Sequence, residues 1–198
     1  MQNTIHNATH NANHNETRSK TKTKRLGEPH TTQPTASIVS SNHLASEQGA
    51  GLSEFEFGLI IASNAFSRWV ARCMAAAGMP DLTYTDSLVL HHVTHRARAK
   101  KLADICFTLN YEDTHVINYS LKKLLELKLV ATEKQGKEVF YTTSDLGKET
   151  IDRYRDIREQ CLVSGMGKDS AADVSQLATL LRSLSGQYDQ AARAATSF

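Results

Sequence analysis

The feature that most constrains this chain is a change of character near residue 129. Upstream, apolar residues recur at spacings of three and four, the period of helices that bury one face. Downstream lie two short segments, Leu129 to Lys134 and Glu138 to Thr143, rich in Val, Thr, Phe and Tyr. They are separated by Gln135-Gly136-Lys137, a hairpin signal in which Gly136 can take the positive φ of a tight turn. Helical periodicity resumes after Ser144. The chain is therefore expected to be mainly α with one small β-hairpin.

The helices can be placed individually. The first is expected over about Ser53 to Ala77, where Phe55, Leu59, Ala62, Phe66, Trp69, Cys73 and Ala77 form one stripe. Phe57, Ile60, Ile61 and Val70 widen that stripe beyond a single buried face, as in helices that pack against a second chain. Gly78 and Pro80 stop it. Thr83 and Asp86 make a capping-box pattern opening a second helix through about His95, with Leu88, Val89, His92 and Val93 inward. A short third helix spans about Leu102 to Leu109, with Leu102, Ala103, Ile105 and Cys106 or Leu109 inward. Asn110, with Asp113 three residues on, is read as the cap of a fourth helix over about residues 111–127. On a helical wheel Ile117, Leu121, Leu124, Leu125 and Lys128 share one side. His115, Tyr119, Lys122, Lys123 and Glu126 fall opposite, with Asn118 at the flank. Two further helices are expected, about Ser144 to Val163 and about Val174 to Ala194.

Composition sets the frame. The 198 residues are 40% hydrophobic, but residues 1–52 hold almost no large apolar side chains. The expected division is a disordered polar tail over 1–52 with a basic run from Arg18 to Arg25, a folded domain over 53–163, and a C-terminal helix within 164–198. No apolar run approaches a membrane span and no signal-peptide pattern opens the chain, so a cytoplasmic protein is expected. Cys73, Cys106 and Cys161 are odd in number and widely spaced, which reads as free thiols. The formal charge of +2 is unevenly spread: residues 96–148 carry +3, whereas residues 53–95 carry −2. A phosphate-bearing partner suits the basic middle.

Helix, helix, short helix, turn, longer helix and hairpin is the layout of a winged helix-turn-helix, which places one helix in the major groove and a hairpin on the neighbouring backbone. At this point the residues resemble a known family. Leu82-Thr83, Leu102-Ala103 and the run Leu121-Lys122-Lys123-Leu124-Leu125-Glu126-Leu127-Lys128-Leu129-Val130 are similar to the MarR-family transcription regulators. So is Thr142-Thr143-Ser144-Asp145-Leu146-Gly147, which resembles the "lT-x-x-G" opening of that family's final helices. The resemblance spans about residues 53–163. It implies a bacterial, homodimeric regulator that binds double-stranded DNA and whose terminal helices pair between chains. The family's Asp-x-Arg wing pattern is absent, Lys134-Gln135-Gly136-Lys137-Glu138 standing in its place.

The candidate DNA-binding residues follow. His115, Asn118, Tyr119, Lys122 and Lys123 offer base and phosphate contacts from the fourth helix. Lys134 and Lys137 sit at the hairpin tip, and Lys100 and Lys101, with Arg96 and Arg98, form a basic stretch suited to phosphates. The rival reading is a winged-helix protein-interaction module without sequence-specific DNA binding. Catalysis has no motif in support: no Gly-rich phosphate loop, GxSxG or HExxH occurs, and no enzyme activity or cofactor is expected. His91 and His95 have the i, i+4 spacing of a metal pair but lack a completing ligand, so no metal is expected. His6, His10 and His14 repeat that interval in the tail. Cys73 and Cys106 are read as small buried hydrophobes rather than redox sensors. Phe66 and Trp69 are read as core or dimer packing, the alternative being the lining of a small-molecule effector pocket.

Overall fold

The structure, a computed structural model, describes residues 49–167 and 170–198. The expected tail, with its basic run and its histidines, lies almost wholly outside the described residues. Six helices and one hairpin follow in order: α1 (Ala50–Ala76), α2 (Tyr84–Thr94), α3 (Leu102–Leu109), α4 (Thr114–Glu126), β1 (Val130–Gln135), β2 (Glu138–Thr143), α5 (Asp145–Cys161) and α6 (Ser170–Ala195). The mainly α class with a small hairpin is as expected. Among the described residues no helix is long and apolar enough to cross a membrane.

Local chemistry explains most boundaries. Gly78, at φ +97°, ends α1. Thr83 caps α2 through a complete capping box, its hydroxyl accepting from the Asp86 amide while the Asp86 carboxylate accepts from the Thr83 amide at 2.9 Å. The strands pair antiparallel with Gln135 opposite Glu138, so Gly136-Lys137 forms a two-residue turn, and Gly136 has φ +65°. Ser144 caps α5, accepting from the Gly147 amide at 3.0 Å and donating to the Lys128 carbonyl at 2.6 Å.

Three expectations are corrected. Asn110 does not open α4. It closes α3 in the left-handed conformation at φ +56°, with the Tyr111 amide reaching back to the Cys106 carbonyl at 2.9 Å. Asp113 caps α4 instead, accepting from the His115 amide at 2.8 Å, so the helix starts at Thr114 rather than 111. Lys128 leaves the buried face because α4 has already ended, and it turns the chain at φ +60°. Ala103, expected inward, is exposed.

One core joins the C-terminal third of α1 (Cys73, Met74) and its cap Ala77 to Val89, Leu90 and Val93 of α2, Ile105 and Cys106 of α3, and Ile117, Leu121 and Leu124 of α4, with Leu129, Val130 and Tyr154 closing it. Cys73 Sγ lies 3.6 Å from the Tyr154 carbonyl, and burial first of all pushes its thiol up, as it does that of Cys106. The rest of α1 stands outside this core: Leu52, Ile60, Ile61 and Phe66 are exposed. So are Val174, Leu177 and Leu180 of α6, whose Tyr188 hydroxyl donates to Glu56 of α1 at 3.0 Å.

Candidate nucleic-acid interface

α4 is a helix with three functional sides. Ile117, Leu121 and Leu124 are fully buried, each contributing roughly 1.5–3 kcal/mol by leaving water. His115, Tyr119 and Lys122 are exposed, Tyr119 to 72%, and Asn118 is half-buried at their edge. Between these sides, Ser120 and Lys123 face the start of α2. The Lys123 ammonium donates to the buried carboxylate of Asp86 at 2.9 Å and to the Asp81 carbonyl at 2.5 Å. Burial by itself would raise the Asp86 carboxyl, but hydrogen bonds from Lys123, Ser120 and Thr83 outweigh it and hold the group below the usual carboxylate range. A groove of about 430 Å³ runs beside this junction, between the cap Thr83 and Thr85 of α2 and His115, Val116 and Tyr119 of α4.

The hairpin supplies the second surface. Lys134 and Lys137 are exposed at its tip and, like Lys122, form no ion pair among the described residues. Lys101 lies along β2, its ammonium 2.6 Å from Glu138 and 5.3 Å from the centre of the Phe140 ring.

Two lysines expected at the interface are engaged elsewhere. Lys100 is 5% exposed, and its ammonium donates to the carbonyls of Val93, His95 and Arg98, at 2.6 Å for His95. Its backbone also bridges to Tyr141 of β2, fastening the α2–α3 loop to the wing. Lys123 is committed to Asp86. The wheel put it on the polar side correctly, but its partner is 37 residues away in sequence and becomes visible only once α2 and α4 pack. That Thr83 and Thr85 border the exposed side of α4 was likewise hidden.

Of the remaining sequence candidates, His91 packs edge-on to Tyr154 at 4.4 Å between ring centres, and His95 lies in the 3-10 turn after α2. Phe66 and Trp69 line a cleft of about 520 Å³ with His91, Tyr154 and Arg158, between α1, α2 and α5. Trp69 also packs against the core, and Phe66 meets Tyr84 edge-on at 5.9 Å.

Residues 82–147, from the capping box of α2 to Gly147 of α5, match the family model described as a winged helix DNA-binding domain. The structure of AbfR of Staphylococcus epidermidis superposes with a TM-score of 0.61, at 18% identity, over 74% of this chain and 99% of that one. A MarR family transcription regulator gives 0.59 at 11% identity, over 73% and 96%. The chain has the winged-helix fold of the MarR regulators. The structure of reduced AbfR bound to DNA superposes at 0.59 with 17% identity over 72% of this chain and 98% of that one. No curated protein matches in sequence.

Proposed function

We propose that this chain is a homodimeric, sequence-specific regulator of transcription acting on double-stranded DNA in the cytoplasm, with α4 in the major groove and the β1–β2 wing on the flanking backbone. The observation that carries this reading is the division of α4 into a pinned apolar side and an outward side bearing His115, Tyr119 and Lys122. A helix so held can offer an imidazole, a phenol and an ammonium to base edges and phosphates, with the Asn118 amide at the edge. Lys134 and Lys137, both exposed, suit phosphates on either side of the groove, and Lys101 can exchange Glu138 for one. The DNA-bound AbfR structure of the same fold supports the assignment. The reading calls for no catalysis and no cofactor. Two-fold symmetry would give a pseudo-palindromic site with half-sites roughly 34–36 Å apart, one turn of the duplex.

Selection of bound fragments from a random DNA pool tests this, with Tyr119→Ala/Lys122→Ala in parallel. A pseudo-palindromic motif that the double variant loses is the expected result; weak enrichment without a motif, unchanged in the variant, overturns it. That second outcome would favour the fold as a protein-docking module, a reading to which Phe107, an apolar ring 88% exposed on α3, gives some footing.

A further inference from the structure

Apolar packing alone does not fix how a helix is rotated, because the hydrophobic effect has no direction. Ile117, Leu121 and Leu124 would hold α4 against the core over a range of small rolls. The polar contacts of α4 are different in kind. The Lys123 ammonium donates to the carboxylate of Asp86 at 2.9 Å, a group 2% exposed and already fixed by the α2 capping box. Ser120, three residues away and hence on the same side of the helix, borders the same junction. The Lys123 ammonium extends the grip to the Asp81 carbonyl in the loop before α2. Hydrogen bonds weaken steeply with angle, so a two-point contact of this sort resists rolling.

The geometry of the wheel shows what a roll would change. At 100° per residue, with His115 as origin, Lys122 and Tyr119 fall at about −20° and 40°. Lys123 and Ser120 fall at about 80° and 140°, and Leu124, Ile117 and Leu121 at about 180–240°. Asn118 stands at about −60°, on the flank away from the grip. A roll of a few tens of degrees therefore replaces Tyr119 at the most outward position by His115 or Lys122.

We propose that Asp86 and Lys123 are positioning residues that set the rotation of α4, and thereby choose which of its side chains meet the bases. The inference rests on the DNA-binding reading above. It distinguishes two adjacent lysines: Lys122 faces outward and is free to meet DNA, whereas Lys123 aims Lys122 and its neighbours without meeting DNA itself.

The test compares Lys123→Gln with Lys122→Gln in the full chain. Each is measured by equilibrium binding to the preferred duplex and to a scrambled duplex over a salt series, with thermal melts to establish folding. A phosphate-contacting lysine contributes about 0.9 to the slope of log affinity against log salt. Lys122→Gln is expected to reduce the slope by about that amount and to weaken both duplexes alike. Lys123→Gln is expected to leave the slope unchanged while the preference for the selected duplex falls about tenfold, the effect of misreading a base pair. A slope reduced as in Lys122→Gln overturns the proposal, since Lys123 would then be a phosphate ligand. A folded Lys123→Gln with slope and preference both intact overturns it too, leaving the pair a matter of stability. Should Lys123→Gln not fold, Lys123→Arg keeps the charge and alters its geometry; lost preference at an unchanged slope supports positioning, and retained preference overturns it. A wild-type chain that prefers no duplex would remove the DNA-binding reading itself, a distinct outcome.

Discussion

At Lys100 the backbone explains the side chain. Arg96 and Ala97 both adopt left-handed φ values, 61° and 46°, in the turn after α2. Neither is a glycine, so each carries a conformational cost of order 1 kcal/mol or more. The tight loop directs the carbonyls of Val93, His95 and Arg98 toward one point, and the Lys100 ammonium fills it. Lys100→Met keeps the stem and removes the donor, so stability in urea should fall by about 1–3 kcal/mol, the cost of leaving buried acceptors unpaired. Two groups shape the response to acid. Burial first, and then Arg158, lower the pKa of His91, whose Nε2 has no hydrogen-bond partner among the described residues. The unfolded chain thus takes up this proton near pH 6.5 while the folded one resists it, so stability declines as pH drops from about 6.5 toward the folded value. Asp86 acts in the same direction at lower pH: its stabilisation is present above about 3.9 and is lost as pH falls through its depressed folded pKa. Melting temperatures across a pH series should show the first decline flattened in His91→Phe, which can retain the ring contact with Tyr154; an unchanged profile would refute the assignment.

The elements were legible where their signals are local. The α2 capping box, the short α3, the hairpin and its Gly136 turn all follow from residues within a few positions of one another. The α3–α4 turn misled because Asn serves equally as an N-cap and as a left-handed C-cap, and only the packing of Cys106 and Tyr111 decides between them. The partners of Lys100 and Lys123 were illegible for another reason: a lysine reads as solvent-facing unless the carbonyls or carboxylate that will surround it are known. The "lT-x-x-G" resemblance, by contrast, gains a mechanism. Gly147 is buried in the first turn of α5, where an added Cβ would collide with the Leu129 carbonyl and the Thr143 side chain. The glycine lets α5 seat directly on the end of the wing. Gly147→Ala is expected to cost about 1–3 kcal/mol, the range for forcing extra volume into a packed site, and to weaken DNA binding by displacing β1 and β2. Denaturation and binding measured on the same variant would check both; a neutral substitution would contradict the close approach.

At the scale of the whole molecule, apolar surface remains on the first and last helices of the described residues. α1 exposes Leu52, Ile60, Ile61 and Phe66, and α6 exposes Val174, Leu177 and Leu180 along a helix of 26 residues. Surface of this kind on two long helices is what a second copy would cover. If α6 forms the contact of the proposed dimer, Leu177→Glu/Leu180→Glu converts it to monomer in analytical ultracentrifugation and, by halving the contacts, sharply weakens binding to the palindromic duplex proposed above. A dimer that survives the double substitution would place the subunit contact elsewhere. The partition of α4 carries an evolutionary consequence for the molecule as a whole. On the DNA-binding reading, its lettering, His115 and Tyr119, is exposed on the side away from the core, while its hinge pin, Lys123, is fastened to Asp86. On that reading, mutation could rewrite the message one letter at a time on an intact chassis, and a lineage built on it would migrate from one operator to another without passing through an unfolded ancestor.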